Sequence, residues 1–297
     1  MAEKDMTEKT LEDYNDVFSD LINVLLFNGK RKVQEDMLEA ATARSVYKVD
    51  NKLREQERDV AKYWRNINFR IAMFGLENQT DQEKDITLRL VGYDGAAYRD
   101  QLFYVKDEND KRKMNDNPRY MVVTVVLYFG MEHWSKPKTL GEALEEIPEE
   151  LKPYFNDYKA NIFEIAWLTD EQVEMFQSDF RIVADYFVQM RKNKNYVPSD
   201  RQITHVKEVL RLMSVLTKDN RFEEACNEVE KGEEVSTMNE WLDKVENRGM
   251  RRGQISEYIK IRREDGYPED EIESAIIKRY GLTEEQAEDY MRDLATV

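Results

Sequence analysis

The chain has 297 residues, with 45 basic against 61 acidic side chains, a formal net charge of -16 and a hydrophobic fraction of 41%. That is enough apolar material for one large core plus an appendage beneath a heavily charged surface, and it counts against a protein that wraps nucleic acid mainly through charge. A single cysteine, Cys226, excludes an internal disulfide and a cysteine-based zinc site and suits a reducing compartment.

The amino-terminal stretch, MAEKDMTEKTLED, is too charged for a signal peptide. The longest apolar run, Met121 to Gly130, is about half the length a membrane-spanning helix needs, so a cytosolic, soluble protein is expected. Thr10-Leu11-Glu12-Asp13 has a capping-box outline, and Leu11, Tyr14, Val17, Phe18, Leu21, Ile22, Val24, Leu25 and Leu26 continue at helical spacing up to Asn28-Gly29. Asp13, Asp16 and Asp20 lie along this helix, Asp16 and Asp20 sharing a face beside the apolar stripe. Acids on a helix usually mark a solvated surface; the sharper expectation is that Asp16 turns inward. Between residues 36 and 49 one helical turn and then a strand at Ser45 to Val49 are expected, and residues 51–58 are polar throughout.

The stretch from Arg58 to Gln79 organises the rest. Phe69 to Leu76 is apolar enough to be a strand passing through a core, and it delivers Glu77-Asn78-Gln79 to its far end. Successive strand side chains alternate between faces, so Glu77 and Gln79 share one. A hairpin turning near Arg65-Asn66-Ile67-Asn68 brings Asp59 back beside Glu77. Two carboxylates meeting there repel each other unless a cation sits between them, and a divalent metal is the usual occupant.

Ile86 to Tyr93 reads as the next element and Gly95 to Leu102 as a helix packed through its small residues. Residues 106–117 form a loop by composition, with a basic knot at Lys111, Arg112 and Lys113. Tyr120 to Phe129 is a continuous β-branched and aromatic run, the mark of a central strand buried on both faces. His133 has no partner at a metal-ligand spacing. A short strand at Asn161 to Trp167 completes an alternation that indicates a mixed α/β layer structure. From there the chain is helical: Asp170 to Val173, Phe176 to Met190, then Ile203 to Leu216 carrying His205 as a packing or capping residue. Residues 231–237 read as a linker. Met238 to Asn247 is followed by a second basic cluster at Arg248, Arg251 and Arg252, and then by short helices with Pro268 in one first turn and Thr283 with Gln286 capping the last. A small helical hairpin docking on its own protein, or on a second copy to form a homo-oligomer, fits this tail better than a helix-turn-helix. The expected organisation is a central mixed sheet flanked by helices over residues 1–225 and a helical region over 226–297.

A helical acid, then Asp59, then Glu77-x-Gln79 is an order that resembles the PD-(D/E)XK nuclease superfamily. More narrowly, TLEDYNDVFSDLINVLLF, RDVAKYW, GLENQT, GYDGAAYRDQL, VVLYFG and SDFRIVADYF are similar to the Rpn family, recombination-promoting nucleases also labelled transposases. The resemblance covers roughly residues 8–225 and implies a restriction-endonuclease-like core. It implies that Asp59 and Glu77, with the backbone carbonyl of Asn78, hold Mg²⁺ or Mn²⁺, and that Asp16, with Asp20 as the rival, supplies the helical acid. Tyr98, Arg99 and Gln101 become candidate supports for a phosphate. Two departures stand out: Arg58 replaces the proline of the motif, and Gln79 replaces its lysine, keeping a hydrogen-bond donor but losing the charge. The implied activity is metal-dependent hydrolysis of DNA, associated with recombination or mobile elements. The competing expectation is a catalytically weak or inactive DNA-binding or interaction protein that keeps the fold.

Overall fold

The computed structural model describes residues 10–41, 44–49, 52–102, 105–106, 112–113, 117–217, 219–230 and 236–293. The chain divides into two units, Met1–Pro198 with Thr204–Gly232, and Ser199–Ile203 with Glu233–Val297.

In the first unit the Thr10 amide donates to the Asp13 carboxylate at 3.0 Å over a 3₁₀ turn, Leu11–Asp13, as the capping outline suggests. Tyr14 is extended, however, so the α-helix proper, α1, begins only at Asn15 and runs Asn15–Phe27. Asn28 ends it in the left-handed region at φ 52, a conformation asparagine tolerates better than most residues. A second 3₁₀ turn, Glu35–Met37, leads into β1, Leu38–Ala40. β2 (Arg44–Val49) pairs antiparallel with β3 (Lys52–Glu57), so the polar stretch is itself a strand; with no apolar alternation it gives no strand signal. β4 (Val60–Arg65) and β5 (Arg70–Gln79) form the expected hairpin. α2 runs unbroken through Ile86–Asp100, where the sequence suggested two elements. The expected loop contains two short strands, β6 (Val105–Lys106) and β7 (Arg112–Lys113); Lys111 lies outside the described residues. β8 (Met121–Tyr128), α3 (Leu140–Ala143) and β9 (Asn161–Glu164) follow, then α4 (Asp170–Met175), α5 (Phe180–Asn193), α6 (Val206–Thr217) and α7 (Asn220–Glu230).

The main sheet has five strands in the order β1-β4-β5-β8-β9. The first two pairings are antiparallel and the last two parallel, giving the mixed sheet expected from the alternation of elements. β8 lies between β5 and β9 and is almost wholly buried, as its unbroken apolar run requires. α2, which crosses from β5 to the parallel β8, covers one face: Ile86, Leu90 and Tyr93 pack with Val126 and Tyr128, and Ala97 with Ala61, Met73 and Val122. On the other face Phe27 of α1 meets Trp64, which stacks on Phe74, and the Lys62 ammonium lies over the Phe18 ring. Because β5 and β8 run parallel, with Gln79 beside Tyr128, their carboxyl ends open at the same end of the sheet.

In the second unit α8 is a single 27-residue helix, Met238–Glu264, followed by α9 (Glu269–Tyr280) and α10 (Glu284–Asp293). The sequence suggested short helices in place of α8; Gly249 and Gly253 lie inside it without breaking it. Pro268 is the N-cap of α9 rather than a residue of its first turn, and Thr283 and Gln286 cap α10 reciprocally at 3.0 and 3.2 Å. Ile255, Ile259, Ile272, Ile276, Ala287 and Met291 form a core of their own. Residues 231–235 of the expected linker lie outside the described residues. Among the described residues no helix is long and apolar enough to cross a membrane.

Candidate active site

The last three positions of β5 run past the apolar core to the end of the sheet. Leu76 is fully buried, and Glu77 after it is only 2% exposed. Alternation turns Glu77 and Gln79 towards α2 and Asn78 towards α1. The contacts agree. Arg89 of α2 donates through Nη2 to Glu77 Oε2 at 2.9 Å, and Asn78 Nδ2 donates to Glu12 Oε1, in the 3₁₀ turn before α1, at 3.1 Å.

Register brings Asp59 to the same place. Val60 pairs with Leu76, so the residue before it falls opposite Glu77. Asp59 Oδ2 accepts the backbone N–H of Asn78 at 2.6 Å, which fixes the carboxylate against the end of β5. Its neighbour Arg58 turns into the protein instead. Buried beneath α2, Arg58 donates through Nη2 to Asp94 Oδ1 at 2.8 Å, and Asp94 also accepts from Thr124 Oγ1 at 2.6 Å and Tyr158 Oη at 2.7 Å. The arginine needs a glycine beneath it: a Cβ at Gly75 would stand 2.6 Å from Arg58 Cδ. Where the superfamily pattern has proline, this chain has an ion-paired anchor immediately before the first acid.

Burial and charge act together on these carboxyls. Burial first, then the charge of Asp59, pushes Glu77 up to about 8, with Arg89 and Arg58 pulling the other way. Burial likewise pushes Glu12 up to about 7, opposed by hydrogen bonds from its own backbone and from Asn78. Glu77 Oε1, Glu12 Oε2 and Asn78 Oδ1 are buried without a hydrogen-bond partner among the described residues. Each such acceptor costs about 1–3 kcal/mol when left unpaired.

Among the described residues no three His, Cys, Asp or Glu side chains converge as a ready-made metal cage. Glu12 lies on the α1 side of β5, joined to the rest through Asn78. A divalent cation would therefore be held by two acids, Asp59 and Glu77, completed by the main-chain carbonyl of Asn78. These are hard oxygen donors of the kind that suit Mg²⁺ or Mn²⁺. The orphaned, buried Glu77 Oε1 is the observation that makes the set fit.

Asp16 is not brought to this site. Its carboxylate meets His205 Nε2 at 3.1 Å, and the His205 ring lies on Tyr14. The physical reason is the extended Tyr14: because α1 starts at Asn15, the preceding 3₁₀ turn aims Glu12 at β5 and leaves Asp16 on the flank. Asp20, the rival, accepts the N–H groups of Gln177 and Ser178 at 2.7 and 2.8 Å and ties down the turn between α4 and α5. Tyr98 and Gln101 are bound to the backbone around the start of β8, where Val122 N–H donates to Tyr98 Oη and Gln101 brackets Tyr120. Val122 lies four residues before Val126, the β8 neighbour of Glu77, roughly 13 Å along the strand from the acids, so these two side chains are committed to the far end of β8. Arg99, exposed near the end of the same helix, is likewise remote. His133 pairs with Glu164 at 2.8 Å and stacks on Trp167.

Glu12, Arg89 and the anchoring role of Arg58 escape the sequence reading. Glu12 sits inside a capping outline whose acid is Asp13, which leaves it the spare carboxylate of the turn. Arg89 is the lone charge in Ile86-Thr87-Leu88-Arg89-Leu90-Val91, a signal visible in the sequence but silent without a partner.

Comparison with curated proteins and with solved structures returns no match. The family described as "Putative transposase, YhgA-like" matches residues 33–220, the span that contains the sheet, Arg58-Asp59, Glu77-Asn78-Gln79 and α2, and the chain belongs to that family.

Proposed function

We propose that the protein is a metal-dependent endonuclease that hydrolyses phosphodiester bonds in DNA, with Mg²⁺ or Mn²⁺ as its cofactor. The observation that carries this reading is the meeting of Asp59 and Glu77 at the open end of β5, where the buried Glu77 Oε1 has no hydrogen-bond partner among the described residues. The family's transposase description supports DNA as the partner and recombination or mobile-element movement as the setting. A bound divalent ion supplies acidity to a coordinated water and neutralises charge on the phosphate. The remaining work belongs to the chain. The Arg58–Asp94 ion pair and the Asn78 N–H hold Asp59 in place, and Gln79, on the face of Glu77, orients the attacking water through its side-chain amide. The water oxygen bonds to phosphorus as the bond to the departing sugar oxygen breaks; the water gives up one proton and the departing oxygen takes one.

Plasmid DNA incubated with the purified protein should be cut in Mg²⁺ or Mn²⁺ but not in chelator, and Asp59→Asn or Glu77→Gln should abolish cutting while leaving the circular dichroism spectrum unchanged. A variant that keeps the full rate ends the proposal. The uncharged Gln79 favours a second reading, a fold-preserving DNA-binding protein without catalysis. DNA binding in every metal with no cleavage in any would select it.

A further inference from the structure

We propose that Arg89 is a catalytic residue that supplies, from α2, the positive charge that Gln79 cannot supply from β5; the inference rests on the nuclease reading above. A phosphoryl group under attack accumulates negative charge, and a site with glutamine at the third motif position has no cation of its own on that strand. Among the described basic side chains, Arg58, Lys62 and Arg89 have contacts that place them around the acids. Arg58 is sealed beneath α2 with Asp94, its side chain 1% exposed. Lys62 points to the α1 side of the sheet, where its ammonium donates to the Asp13 carbonyl at 2.6 Å and to Asn15 Oδ1 at 2.5 Å. Arg89 differs from both: it touches Glu77 at 2.9 Å and is still 35% exposed along its side chain, on the strand face that Glu77 and Gln79 share.

The guanidinium lies between two acids, Glu77 through Nη2 and Glu83 through Nη1. A planar group with five N–H donors has donors left for a phosphate oxygen after these two contacts and its hydrogen bond with Tyr93, and its fork matches phosphate geometry. Glu77 carries the complementary division of labour. Oε2 holds Arg89, while Oε1, buried and without a hydrogen-bond partner, is the oxygen available to an ion. One carboxylate thus sets the distance between metal and arginine, and both reach the substrate from the same strand face.

The test compares Arg89→Gln, Arg89→Lys, Gln79→Lys and the double variant Arg89→Gln/Gln79→Lys in the full chain. Each is measured for plasmid cleavage in Mg²⁺, for Mn²⁺ affinity without DNA by calorimetry, and for thermal unfolding. Arg89→Gln should cut DNA about 100-fold more slowly or worse, the size of loss seen when one charge-stabilising donor is removed. It should bind Mn²⁺ as tightly as the wild type or several-fold more tightly, because a competing cation has left Glu77. Arg89→Lys should fall between the two, and Gln79→Lys should restore at least about tenfold to Arg89→Gln by returning the charge to β5. Wild-type cleavage by Arg89→Gln overturns the inference, as does weakened Mn²⁺ binding with a lowered melting temperature and no rescue, the pattern of an arginine that merely braces Glu77. If the wild-type protein neither binds Mn²⁺ nor cuts DNA, the nuclease reading fails first and this inference falls with it.

Discussion

Glu77 is a carboxyl group placed where an ionised carboxylate is costly. It titrates at 4.5 in the ordinary case and is pushed to about 8 here, by burial and then by Asp59. The folded, metal-free chain therefore keeps a proton that the unfolded chain has already released, and stability contributed by that proton is lost as pH rises from about 4.5 towards 8. Glu12 adds to the same trend up to about 7. The melting temperature of the metal-free wild type should fall across this window more steeply than that of Glu77→Gln, which has nothing to ionise there. Mn²⁺ affinity should climb over the same window, with protons released on binding, because the ligand must be a carboxylate. Parallel melting curves for the two proteins would show that the group titrating is not Glu77.

At the level of elements, the hairpin β4–β5 and the helix α2 are clamped by one polar network. Arg58 precedes β4, Asp94 lies in α2, Thr124 in β8 and Tyr158 just before β9, and the other three donate to the Asp94 carboxylate. Removing Asp94 would leave the buried Arg58 charge without its partner. Asp94→Ala should cost about 3–5 kcal/mol in denaturant unfolding, the usual penalty for breaking a buried pair on one side. Gly75→Ala tests the same clamp by steric means. Its new methyl must displace Arg58, and the loss should appear in metal binding at Asp59 as well as in stability. An Asp94→Ala protein as stable as the wild type would mean that Arg58 finds another counter-charge. The two ends of β5 also explain why α2 contributes in two ways. Arg89 near its start reaches Glu77, whereas Tyr98 and Gln101 near its end secure the opposite end of β8.

For the whole molecule, a net charge of -16 repels DNA at long range, so binding must depend on local cations and should weaken steeply with added salt. A flat salt response would remove the local basic clusters from consideration. The two units have separate cores, and every residue of the candidate site belongs to the first. Deletion of residues 238–297 should therefore leave the Mn²⁺-induced rise in melting temperature unchanged, read by differential scanning fluorimetry. Loss of that rise would place part of the site's support in the helical unit.

What the sequence determined by itself was whatever depends on near neighbours along the chain. β8 is evident in its β-branched run, the β4–β5 turn in Arg65 to Asn68, the shared face of Glu77 and Gln79 in simple alternation, and the cap of α10 in Thr283 and Gln286. The hairpin is local enough that the meeting of Asp59 and Glu77 could be expected before any coordinates. Tertiary structure decided the rest. A single extended residue, Tyr14, selects Glu12 over Asp16 to face β5, and packing of α2 across the sheet decides that Arg89 meets Glu77 while Arg58 is sealed against Asp94. These choices depend on how separate elements pack in three dimensions, and a pattern of period two or 3.6 carries no information about which partner stands across the gap.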